Sequence, residues 1–170
     1  MNRQKTFDSL DRVDQVIAKA VEIVCVILLA AIVIVTSMSV FSRFVIFNPL
    51  NFADALSKYL MMWMVFLGSG IAVRAGEHIV VDMFTDKIKG KSKKMLLIVI
   101  DILISVFLII IIYYGFINAW SGKDSHDPFV FGVSMMIPYL SVPVGFSYIL
   151  FQLNLTTVLS ILKVEKQPSS

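Results

Sequence analysis

The chain has 170 residues, 58% of them hydrophobic and 16% charged, with a net charge of +3 and a mean hydropathy of +0.84. Soluble domains lie near about 45–50% apolar and about 25% charged, so an ordinary water-soluble globular fold is excluded. A single cysteine, Cys25, excludes an internal disulfide framework, and two distant histidines leave a structural zinc site short of ligands.

The charges are clustered, and the gaps between them mark four membrane spans. Before the first gap, Phe7, Leu10, Val13, Ile17 and Val21 recur on one helical face, with Asp8, Asp11, Arg12, Gln15 and Lys19 elsewhere. That pattern predicts an amphipathic helix over 7–22 lying in the interface; the competing reading is the solvated start of a long first helix. Span one follows over 23–43, apolar for long enough to cross about 30 Å of hydrocarbon. It is no signal peptide, since the run is too long and no small-residue cleavage site follows.

Span two is read over 52–75, with Lys58 and Arg74 snorkelling from its ends and Gly76 as its stop. Span three is read over 93–120, with Ser92 as its N-cap. The stretch 128–162 carries no charge and is too long for one straight span. Phe129–Met136 is therefore read as a short interfacial segment, and span four as 138–162, with Pro138 in its first turn. The fold class is an all-α membrane protein: four transmembrane helices plus short interfacial amphipathic helices, forming one domain.

Twelve Lys and Arg residues fall before span one, between spans two and three, or after span four. Only Arg43, Lys58 and Lys123 fall on the other side. The positive-inside rule then places both termini in the cytoplasm. Topology accounts for the basic loop, so nucleic acid is not a partner; membrane lipid is. Tyr59, Trp63, Trp120 and Tyr139 fall near the outer face as an interfacial belt.

The spans hold little midplane chemistry, although a self-sufficient carrier needs it. Asp101 is the only acid away from the ends of a span, at a depth similar to that of Arg74, and an Asp101–Arg74 pair between helices is the expectation. A proton or ion relay through Asp101 is the alternative. No nucleophile, base and acid fall at one depth, and His78 and His126 lie on opposite sides of the membrane, so an enzyme is not indicated. Gly68 and Ala72, with Ala75 and Gly76 one turn on, form a small-residue face that admits a neighbouring helix.

The stretch SRFVIFNPLNFADALSKYLMMWMVFLGSGIAVRAGEHIVVD, Ser42 to Asp82, resembles the DctQ-like small membrane subunit of tripartite ATP-independent periplasmic (TRAP) transporters. The resemblance rests on Arg43, Asn48, Pro49, Asp54, Lys58, Trp63, Phe66, Leu67, Gly68, Arg74, Gly76, His78, Ile79, Val81 and Asp82. The segment Met136 to Gly145 also looks like the family's entry into its fourth span. Phe52 stands where a Trp is usual, and Asp54 is followed by Ala55 rather than a second acid.

The resemblance implies an accessory subunit in the bacterial inner membrane. It would brace a large elevator-type subunit, one to one, and help dock a periplasmic substrate-binding protein. Substrate and sodium sites would lie in the large partner, with no cofactor in this chain. The transported solute would be an organic acid, sialic acid or otherwise a C4-dicarboxylate. Arg43, Asp54 and Lys58 would form an outer ion-pair network, and Arg74, His78 and Asp82 would pin the loop after span two. A self-sufficient four-span carrier using Asp101 and a membrane enzyme are the rival readings.

Overall fold

The computed structural model describes residues 2–85 and 91–164, with side chains described for 11–75, 95 and 98–158. Four long helices dominate: α1 (Asn2–Phe41), α2 (Asn51–Thr85), α3 (Lys91–Ser121) and α4 (Met136–Val164). Each carries a stretch apolar and long enough to cross a bilayer: Asp11–Ile46, Asn51–Ala75, Ile98–Ser121 and Met136–Val158. The chain is therefore an all-α membrane-spanning protein.

The helices do not close into a four-way bundle. α2 packs between α1 and α4, and α4 packs between α2 and α3, so the order across the membrane is α1, α2, α4, α3. α1 and α4 touch only lightly. The burial pattern explains this order. On α1 and the turn that continues it, the most covered positions are Asp14, Ala18, Val21, Cys25, Leu28, Ile32, Val35, Ser39 and Ser42, spaced four and three apart. On α3 and the turn after it they are Asp101, Ser105, Leu108, Ile112, Gly115, Ala119 and Gly122, again in steps of four and three. A 3.5-residue repeat makes one narrow seam of coiled-coil type, so each of these helices holds one neighbour and becomes an edge. In α4, 33% of the apolar stretch is buried, against 6% in each of the other three.

Small residues set the closest approaches. A Cβ at Gly145 would sit 3.0 Å from the Phe66 carbonyl oxygen, and one at Gly115 would sit 3.3 Å from Pro143 Cδ. Phe66 and Phe146 pack at 5.6 Å between centroids. Pro143 lies inside α4, and Ser147 Oγ donates to its carbonyl at 2.6 Å.

Several boundaries differ from the sequence reading. The helix expected to lie flat over 7–22 continues into span one as a single 40-residue helix. No Gly or Pro interrupts this stretch to make a bend, and Asp14 is held in the helix packing. α2 runs through Gly76 to Thr85, since one glycine costs a helix only about 1 kcal/mol. α3 begins at Lys91, one residue before the expected cap.

Phe129–Met136, expected as a short segment at the interface, runs through a hairpin into the start of α4. His126–Asp127 (β1) pairs antiparallel with Val133–Ser134 (β2). Asp127 turns the chain: its Oδ1 accepts the Phe129 N–H at 2.8 Å, and its carbonyl accepts the Gly132 N–H at 3.0 Å. Phe131 and Gly132 follow at positive φ, 52° and 70°. An Asx turn followed by two left-handed residues makes a tight hairpin and leaves no run for a helix.

Candidate functional site: a buried polar junction and an open helix face

Two polar clusters tie the helices together at opposite ends of the spans. At the end where α1 begins, Asp14 is 5% exposed. Arg74 of α2 donates to Asp14 Oδ2 from Nε at 2.9 Å and from a terminal nitrogen at 2.8 Å. Gln152 of α4 donates from Nε2 to Asp14 Oδ1 at 2.8 Å. One carboxylate thus joins α1, α2 and α4, and both of its oxygens are used. A buried charge is tolerated only when paired and hydrogen-bonded in this way.

At the loop end, the Tyr59 hydroxyl of α2 donates to Asp127 Oδ2 of the hairpin. Asp127 is 7% exposed, so the same side chain shapes the turn and anchors it to α2. Phe52 and Phe131 pack at 5.3 Å between centroids beside it. The link between α1 and α2 is closed by Ser42, whose hydroxyl donates to the Asn48 carbonyl, and by Phe47 at φ 56°.

The residues singled out from sequence distribute as follows. Arg43 and Asp54 approach to 3.8 Å with side chains 57% and 68% exposed, and Lys58 is exposed on the same helix as Asp54. Trp63 is half-buried. The expected Asp101–Arg74 pair does not form. Arg74 pairs with Asp14, while Asp101 accepts from the Thr157 hydroxyl at 2.8 Å. The reason is the helix order: α4 stands between α2 and α3, so an acid in the α3 seam faces α4 and cannot reach α2. Asn154 of α4 reaches Ser105 of α3 at 3.4 Å one turn away. Asp101 is thus one rung of a polar seam between α3 and α4. The side chains of His78 and Asp82 lie outside the described residues.

Gly68 and Ala72 lie on a face that no other helix covers among the described residues. A Cβ at Gly68 would meet nothing within 4 Å, and Ala72 is exposed. Two residues on, Gly70 is filled by the ring of Tyr148. Among the described residues, no three His, Cys, Asp or Glu side chains converge as a metal site.

The two residues that sequence reading missed are Asp14 and Asp127. Asp14 is not among the residues that the apolar face from Phe7 to Val21 singles out. The stripe that turns inward is Asp14, Ala18, Val21 and Cys25, whose sign is small and polar residues at 3.5-residue spacing.

The sequence model of the DctQ component of tripartite ATP-independent periplasmic transporters matches residues 32–162. The chain belongs to that family. The sialic acid TRAP transporter small permease protein SiaQ of Vibrio cholerae is 26% identical over 143 residues, 84% of this chain and 82% of its own length. The ectoine TRAP transporter small permease protein TeaB of Halomonas elongata is 27% identical over 139 residues, 81% and 72% of the two chains. The sialic acid TRAP transporter permease protein SiaT of Haemophilus influenzae is 30% identical over 76 residues, which is 45% of this chain and 12% of that protein. The DctQ match takes in Arg74, Asp101, Asp127 and Gln152 and begins after Asp14.

Proposed function

We propose that this DctQ-family chain is a fixed brace that carries no substrate. It packs against a large elevator-type permease subunit in the bacterial inner membrane. With a periplasmic binding protein, the assembly takes up an organic solute coupled to sodium. The observation that carries this reading is the open face of α2: Gly68, where an added Cβ would meet nothing within 4 Å, and the exposed Ala72 one turn on, while Phe66, Gly70 and Arg74 of the same helix meet α4 and α1. Small residues let helix backbones approach closely, and in lipid that packing drives association. The matched part of SiaT is a small fraction of a much longer permease, which supports a partner of that size.

The relatives are named for sialic acid and for ectoine, two different solutes, which supports placing specificity in the partner chains. Sialic acid remains our first candidate and a C4-dicarboxylate the second. Both termini would lie in the cytoplasm by the lysine distribution, putting the Arg43–Asp54 pair and the hairpin on the periplasmic side, where the binding protein docks. Asp101 already has its hydrogen bond from Thr157, which speaks against a carrier built on it.

The test is to tag the chain in its own membranes, solubilise gently and identify what co-purifies. A stoichiometric large membrane protein supports the brace. A chain that purifies alone and moves solute in liposomes overturns it.

A further inference from the structure

The junction around Asp14 contains two polar atoms that no group among the described residues satisfies. Gln152 is 1% exposed. Its amide orientation is fixed chemically, because only the NH2 side can face the Asp14 carboxylate. That pins Oε1 on the far side, buried and without a donor. Tyr148 lies one helical turn earlier on α4, and its hydroxyl is likewise buried and unpartnered. The Tyr148 ring is held where Gly70 of α2 leaves no side chain, one turn from Arg74, which pairs with Asp14.

A buried acceptor and a buried hydroxyl at i and i+4 spacing, beside an ion pair, are the partners that an internal water requires. Neither atom is open to the surface. We propose that the junction is a built site for one internal water, which donates to Gln152 Oε1 and accepts from the Tyr148 hydroxyl. The water extends the Asp14–Arg74–Gln152 set to a fourth residue. The lock between α1 and α4 is therefore partly solvent, although it lies within the helix packing.

Radiolytic hydroxyl footprinting tests this, because radicals made from a bound water label the adjacent side chain even when bulk solvent cannot reach it. The sample is the full chain in lipid nanodiscs, with any subunit that co-purifies. Tyr148 is expected to be labelled in the wild-type chain. In Gln152→Met, which keeps the side chain's length and loses the acceptor, Tyr148 labelling should fall several-fold while that of Tyr113 and Tyr114 stays unchanged. Absence of Tyr148 labelling in the wild type, or equal labelling in the variant, overturns the proposal. A thermal-stability cycle does not depend on labelling. With a shared water, Tyr148→Phe and Gln152→Met together should lower Tm by less than the sum of the two single shifts. Full additivity counts against the site.

Discussion

α2 presents two faces with similar residue types and opposite surroundings. The covered face runs through Tyr59, Phe66, Gly70 and Arg74. Each meets another part of the chain: Asp127, Phe146, Tyr148 and Asp14. The open face runs through Asp54, Lys58, Met61, Val65, Gly68, Ala72 and Ala75, in steps of three and four. Both faces hold charge towards an end and glycine in the middle. Composition alone therefore does not decide which face folds the subunit and which is left for a partner. Geometry decides it, through the residues that α1 and α4 bring opposite.

The largest expected effect is on the covered face. Asp14→Ala leaves Arg74 with its charge unpaired beside the buried amide of Gln152. Removing one partner of a buried pair costs about 3–5 kcal/mol. The purified variant should melt well below the wild type, and α1 should become accessible to protease near residue 14. Asp14→Asn keeps an acceptor for one donor and should recover part of the loss. A variant that melts with the wild type would show that the junction does not hold α1.

Gly70→Ala comes next. Its new Cβ would overlap the Tyr148 ring, and overpacking of this kind costs about 1–3 kcal/mol. Replacing Tyr148 by Leu in the same chain should restore much of the loss, because the obstacle is the ring. Tyr59→Phe should follow at about 1–2 kcal/mol, since it removes a hydrogen bond to a buried carboxylate. Limited proteolysis within the hairpin, residues 126–134, would read that change locally.

Arg43→Ala should cost well under 1 kcal/mol, because both partners of the Arg43–Asp54 pair are mostly exposed. A large fall in chain stability would mean that the pair is better shielded than its exposure indicates. Its place near the loop end makes binding-protein affinity the more informative readout.

The number of spans was legible in the sequence, because long gaps between charges have one physical explanation in a chain this apolar. Helix order was not. Most residues on the exposed sides of the spans are apolar, so hydrophobic periodicity, which marks a core in water, marks no face in a membrane. The Asp101–Arg74 pairing failed for this reason: equal depth was readable, but the position of α4 between the two helices was not. The stripe Asp14, Ala18, Val21 and Cys25 was readable in principle. It required looking for small and polar residues at 3.5-residue spacing instead of apolar ones. The hairpin was hidden because Asp127 acts through a local turn, and an apolar flank around Phe129 and Phe131 resembles an interfacial helix in composition.

Gly68→Leu should have the smallest effect on the isolated chain and the clearest effect on the assembly. A Cβ there meets nothing, and leucine is a better helix former than glycine by most of 1 kcal/mol. The purified subunit should melt at or slightly above the wild-type temperature. If another helix packs on the open face, the same side chain stands between two backbones and must lower the yield of the large subunit on affinity purification. Gly70→Ala is the matched control, weakening the chain first and the complex only as a consequence. If Gly68→Leu leaves both stability and co-purification unchanged, the open face of α2 faces lipid, and the partner must sit on one of the edge helices, α1 or α3.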